Sequence, residues 1–117
     1  MTIEELTIAY LTAANLPGIG GHVYAETPVD PPNEYVLIQR TGGGSADYIR
    51  QHTIITETIS RTDKLTAATL HEEVVEAMLR MADTADVYRC RLNSDYDATR
   101  ADRKEYKYQA LWEITVY

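Results

Sequence analysis

Phenylalanine is absent from this 117-residue chain, cysteine and tryptophan occur once each, and 11 Lys and Arg face 18 Asp and Glu. Each shortage excludes something. With Cys90 alone, no intramolecular disulfide can form, and a cysteine-built metal site would need several chains. Apolar stretches are only a few residues long, far short of the ~18 needed to cross a bilayer. The opening Met1-Thr2-Ile3-Glu4-Glu5 lacks the basic and then apolar layout of a signal peptide. The expectation is therefore a protein made in the cytoplasm, with no membrane partner. A formal charge of −7 argues against a chain whose task is to neutralise nucleic-acid phosphates, because that affinity comes from clustered Lys and Arg.

Hydrophobic residues make up 44% and charged residues 25%, a balance that supports a folded domain rather than a disordered one. The length fits a single domain over residues 1–117. Nine tyrosines supply nearly all the aromatic surface, and a ring with a polar tip suits half-buried sheet faces and interfaces.

Thr2 and Glu5 have the spacing of a capping box, so a helix starts near Ile3. Ile3, Leu6, Tyr10 and Ala13 recur at helical spacing, and Asn15 with Pro17-Gly18 stops the pattern. Residues 22–25 form a short strand, and Pro28, Pro31 and Pro32 make 26–33 an exposed loop. Residues 35–41 and 53–59 are rich in β-formers. Gly42-Gly43-Gly44 and the polar residues to Asp47 suggest a long antiparallel hairpin with a flexible tip, and Tyr48 to Gln51 can join either that arm, 42–51, or the second strand.

From Asp63 to Met81 the period changes to 3.6, with Ala67, Leu70, Val74, Ala77, Met78 and Met81 on one face and Glu72, Glu73, Glu76, Arg80 and Asp83 on the other. Residues 86–93 alternate, placing Tyr88, Cys90 and Leu92 on one side and Val87, Arg89 and Arg91 on the other. Residues 106–117 alternate more strongly, with Tyr106, Tyr108, Ala110, Trp112, Ile114 and Val116 together. Between these strands, residues 94–105 read as a second exposed arm, dense in Asp and Arg. The fold class is α+β: a mainly antiparallel β-sheet with two α-helices packed on it and a long β-hairpin arm.

Chemistry finds little foothold. Neither glycine cluster, 18–21 or 42–44, has the strand, loop, helix context and lysine of a phosphate site, so both read as turns. His22, His52 and His71 fall on three elements, and Val75 stands where a zinc helix needs its second histidine. They read as surface or partly buried imidazoles. Asn93, Asp95, Asp97 and Thr99 resemble half a calcium loop, but Ala98 replaces its turn glycine and Lys104 its bidentate glutamate. Cys90 reads as a buried structural thiol, and Ser45, Ser60 and Ser94 lack a nucleophile elbow. No catalytic residue, metal or cofactor is assigned, although a hydrolase with a dispersed site is one rival reading. The basic cluster Arg100, Arg103, Lys104 and Lys107 beside Asp95, Asp97 and Asp102 suits docking onto a subunit or partner and equally a solvated loop.

The strand ending in Gln39-Arg40-Thr41-Gly42-Gly43, the polar tip, the second strand through Ile59-Ser60-Arg61, the helix around Ala67-Ala68 and the closing strand 106–116 together resemble the tail terminator, or tail completion, proteins of long-tailed bacteriophages. The likeness runs from about Val23 to Val116. It implies a non-enzymatic virion subunit that forms a homo-oligomer, a hexameric ring, on the head-proximal end of the tail. There it would stop polymerisation of the tail tube protein and meet the head-tail connector proteins, with DNA passing through the lumen without specific binding. An acidic lumen would repel phosphates. The same likeness admits a head-tail connector (neck) role, and a small bacterial ligand-binding module is the alternative from another class. Expected subunit or partner contacts are Arg40, Asp47 and Tyr48 on one arm and Asp97, Arg100 and Arg103 on the other.

Overall fold

The computed structural model describes residues 2–46, 49–100 and 105–117, with the backbone alone at 43–46 and 49. Chain order is α1 (Ile3–Ala14), β1 (Val23–Tyr24), β2 (Glu34–Ala46), β3 (Ile49–Ser60), α2 (Lys64–Leu79), β4 (Val87–Asp97) and β5 (Tyr106–Val116), with a 3-10 turn at Met81–Asp83. The five strands form one sheet in the order β1-β2-β3-β5-β4. All neighbours are antiparallel except β1, which lies parallel to β2 at Val23↔Val36 and Tyr24↔Leu37. The α+β expectation is met.

The capping box closes as the sequence predicts. Glu5 N–H donates to Thr2 Oγ1 at 3.1 Å and Thr2 N–H to Glu5 Oε1 at 3.3 Å, satisfying two donors that a helix start leaves free. Asn15 ends α1 in the left-handed region at φ 48°. The buried line of α1 is Ile3, Thr7 and Leu11, not the expected Ile3, Leu6, Tyr10 and Ala13. Ala13 is exposed, and Leu6 and Tyr10 are half-buried. Two hydrogen bonds explain the rotation. Thr7 hides its hydroxyl by donating to Ile3 O at 2.8 Å, and Tyr10 sits at the flank, where its hydroxyl donates to Ala77 O at 2.6 Å, near the end of α2.

In α2, Asp63 caps the start by accepting from Thr66 N–H at 2.6 Å. The whole predicted face, Ala67 to Met81, is buried. Each of Leu70, Val74 and Met78 contributes roughly 1.5 to 3 kcal/mol by leaving water. Together with α1 this face covers Val36, Ile38, Ile54, Ala110, Trp112 and Ile114 of the sheet. On the opposite face Tyr35, Leu37 and Ile59 form a smaller cluster against Tyr24. Beside it the nearly buried Glu57 and Lys107 pair at 3.4 Å.

Three more expectations need correction. Residues 42–46 are not part of a loose tip: β2 and β3 stay paired out to Ala46↔Ile49, with one irregularity between Arg40 and Gly42. Glycines are disfavoured in strands by entropy, not by sterics, so their neighbours' pairing carries them. Residues 94–97 are likewise strand, because β5 alternates so strongly that it templates its partner down to Asp97↔Tyr108. Two more rungs follow, Ala98 N–H to Lys107 O and a bridge between Arg100 and Glu105.

The third correction concerns β4. Register shifts between Val87 and Arg89 and between Leu92 and Ser94 mark bulges. A bulge adds one residue and breaks the alternation. Val87 therefore joins Cys90 in the core, while Tyr88, expected on the Cys90 side, is 52% exposed.

Candidate assembly surfaces

Three places on this scaffold gather polar side chains. At the end of the sheet where β2 and β3 turn, the helix-side face continues past Ile38 and Ile54 as Arg40, His52 and Arg50, beneath the start of α1. With Glu4, Glu5, Asp86, Val116 and Tyr117 they line an open cleft of about 990 Å³. His52 titrates below the usual histidine range, first because it is partly buried and then because both guanidiniums oppose a further positive charge; Glu4 pulls weakly the other way. Arg40 is exposed, and its Nε donates to Gly42 O at 3.3 Å.

At the far end of the sheet, β4 is tied to α2. Asp97 Oδ2 lies 2.8 Å from Lys64 Nζ, and Thr99 N–H donates to Asp97 Oδ1 at 2.9 Å. The hydrogen bond from Lys64, then those from Thr99, hold the Asp97 carboxyl down to about 2. Next to it His71, only 5% exposed, stacks on Tyr108 with ring centroids 5.3 Å apart. Its Nε2 lies 3.1 Å from Asp95 Oδ2. Of the residues that suggested half a calcium loop, Asn93, Asp95 and Asp97 thus lie along β4 with Thr99 just past its end, and Asp95, Asp97 and Thr99 are engaged with His71, Lys64 and Lys107. Among the described residues no group of three His, Cys, Asp or Glu is placed to hold a metal ion.

The third place is the start of β4. Tyr88 meets Tyr117 edge to face at 5.7 Å, and the Arg89 guanidinium carbon lies 5.9 Å from the Tyr88 ring centre. Sequence reasoning missed this patch, since only the bulge brings Tyr88 out. Cys90 beneath it is buried, and burial pushes its thiol up to about 12.

Of the expected contact residues, Arg40 and Arg100 are exposed at opposite ends of the sheet, and Asp97 is committed to Lys64 and Thr99. Asp47, Tyr48 and Arg103 lie outside the described residues. No helix among those described is long and apolar enough to cross a membrane.

No protein-family model matches the chain, and no curated protein does. A solved structure does. The chain shares its fold, at a TM-score of 0.67 and 16% identity, with a component of the virion of a native gene transfer agent particle. The match covers 97% of this chain and 90% of that one. Two helices over an antiparallel sheet with paired hairpins are therefore a shared architecture.

Proposed function

We propose that this chain is a structural, non-enzymatic protein of a phage-like virion, and within it the tail terminator. Six copies form a ring on the head-proximal end of the tail tube, stop its polymerisation and present the surface that the head-tail connector meets. The observation that carries the reading is the shared fold with a virion component over nearly the whole length of both chains. The two hairpins, 34–60 and 87–116, add support. Among the described residues their outer strands, β2 beyond its two-residue pairing with β1 and β4 along its length, have open edges, and open strand edges are natural material for subunit contact. Arg40, Asp47, Tyr48, Asp97, Arg100 and Arg103 are the proposed contacts with subunits or partners.

The formal charge of −7 per chain suits a conduit through which DNA slides without sticking, since affinity for phosphates needs clustered cations. Negative-stain images of purified protein mixed with tail tubes test the reading. Rings seated at one end of each tube are the expected result. Bare tube ends with the protein bound to the head-side connector instead would assign it to the neck, and binding to neither would remove the virion role.

A further inference from the structure

The sheet order puts β1 and β4 at opposite edges. Acids gather in the loop that leaves β1, whereas two arginines stand near the start of β4. The strand's own acids, Asp95 and Asp97, come later in it and pair with His71 and Lys64. The first 39 residues contain no Lys or Arg but five acids, Glu4, Glu5, Glu26, Asp30 and Glu34. Three of these sit in or beside the loop 25–33 that leaves β1. Three prolines stiffen that loop, so little ordering is needed on contact. Val29 stands wholly exposed at 105%, between Pro28 and the exposed Asp30. An apolar side chain flanked by proline and acid and touching nothing is a knob without a hole.

A matching seat lies at the other edge. Between its two bulges β4 carries Arg89 and Arg91, both exposed, and neither takes part in an ion pair among the described residues. Beside them Tyr88 and Tyr117, 52% and 72% exposed, form a flat aromatic surface. Tyrosine and arginine are the residue types enriched where proteins bind one another. Among the described residues the backbone of β4 pairs only with β5, so its outer edge is open to them.

We infer that the acidic proline-rich loop 25–33 of one copy docks on the β4 edge of a second copy. Val29 lies on the Tyr88 and Tyr117 rings, and Glu26 and Asp30 face Arg89 and Arg91. Because the two patches differ and occupy opposite edges, the contact is head-to-tail, the kind that closes into a ring when its rotation permits. The inference supplies a mode of assembly for the ring proposed above and rests on that reading only for the ring's biological place.

Sedimentation velocity on the full chain, with no phage component present, tests it. The double variants Arg89→Glu/Arg91→Glu and Glu26→Arg/Asp30→Arg should each weaken self-association by at least about tenfold, since each would set like charges against one another across the contact. Mixing the two restores opposite charges at every contact and should restore assembly. Val29→Ser should weaken it without changing the circular dichroism spectrum, as that side chain touches nothing in the monomer. A wild-type chain that stays monomeric, variants that assemble like wild type, or a mixture that fails to recover would each overturn the inference. Loss of tube binding with self-association intact would also overturn it, by giving the β4 edge to another partner. Self-association without tube capping would leave this contact standing and remove the terminator role.

Discussion

Trp112 Nε1 donates to Thr56 Oγ1 at 3.0 Å across neighbouring strands, and both residues are fully buried. A tryptophan can sit in a core without an orphaned N–H only where a partner is built in. Thr56 is that partner, one strand away and two residues along from Ile54, which faces Trp112 in the register, so both side chains lie on the same side of the sheet.

Thr56→Val keeps the shape of the side chain and removes the acceptor. It should cost about 1 to 3 kcal/mol, the penalty for a buried donor left alone. Trp112→Ala should cost about 3 to 5 kcal/mol. Urea denaturation read by circular dichroism measures both, and a neutral Thr56→Val would show that the bond is not needed.

Gly18 and Gly20 both have positive φ, +83° and +57°, but only at Gly18 would a Cβ collide, meeting Leu70 Cδ2 at 2.9 Å. Gly18→Ala therefore combines left-handed strain, about 1 to 2 kcal/mol, with displacement of a core leucine. Gly20→Ala carries the strain alone. The midpoint of thermal unfolding should fall for both, and further for Gly18→Ala.

Cys90 is buried, with its thiol pushed up to about 12. Because the thiolate is the reactive form, a thiol reagent at pH 8 should leave the native protein almost unlabelled and label one group per chain once denaturant is added. Rapid native labelling would place the sulfur at the surface.

Asp97 has its carboxyl held to about 2 by Lys64 and Thr99. A folded value below the ordinary carboxylate value near 3.9 gives stability present above that value and lost as pH falls toward about 2. Asp97→Asn should remove this part of the acid sensitivity. Its stability should approach that of wild type near pH 2 and lie below it at pH 7. Parallel pH profiles for the two proteins would contradict the assignment.

The helix α2 was legible because Leu70, Val74 and Met78 repeat at a period that only a helix satisfies, and β5 because Trp112 and Ile114 alternate. What escaped reading had local causes. A bulge adds one residue and leaves no mark in composition, so Tyr88 and Val87 exchanged places. Gly42 and its neighbours look like a turn, yet a strand paired on one side tolerates them. Asp95 and Asp97 look like loop residues until their partners His71 and Lys64, a helix away in sequence, are known. The core faces of α2 and β5 were therefore readable, whereas the face of α1, the place of Val87 and the surface patches depended on local hydrogen bonds and register.

The sheet order has a kinetic side. β2 and β3 can zip together as soon as both exist, but the other edge of β3 is satisfied only by β5, which starts at Tyr106, after the whole of α2 and β4. During synthesis the apolar strand containing Ile54 and Ile59 has a bare edge for that interval, and closing the β3 to β5 seam is a non-local and therefore slow event. The nascent chain passes through a sticky stage that the finished domain conceals, so expression yield should respond to chaperone supply and growth temperature before equilibrium stability does.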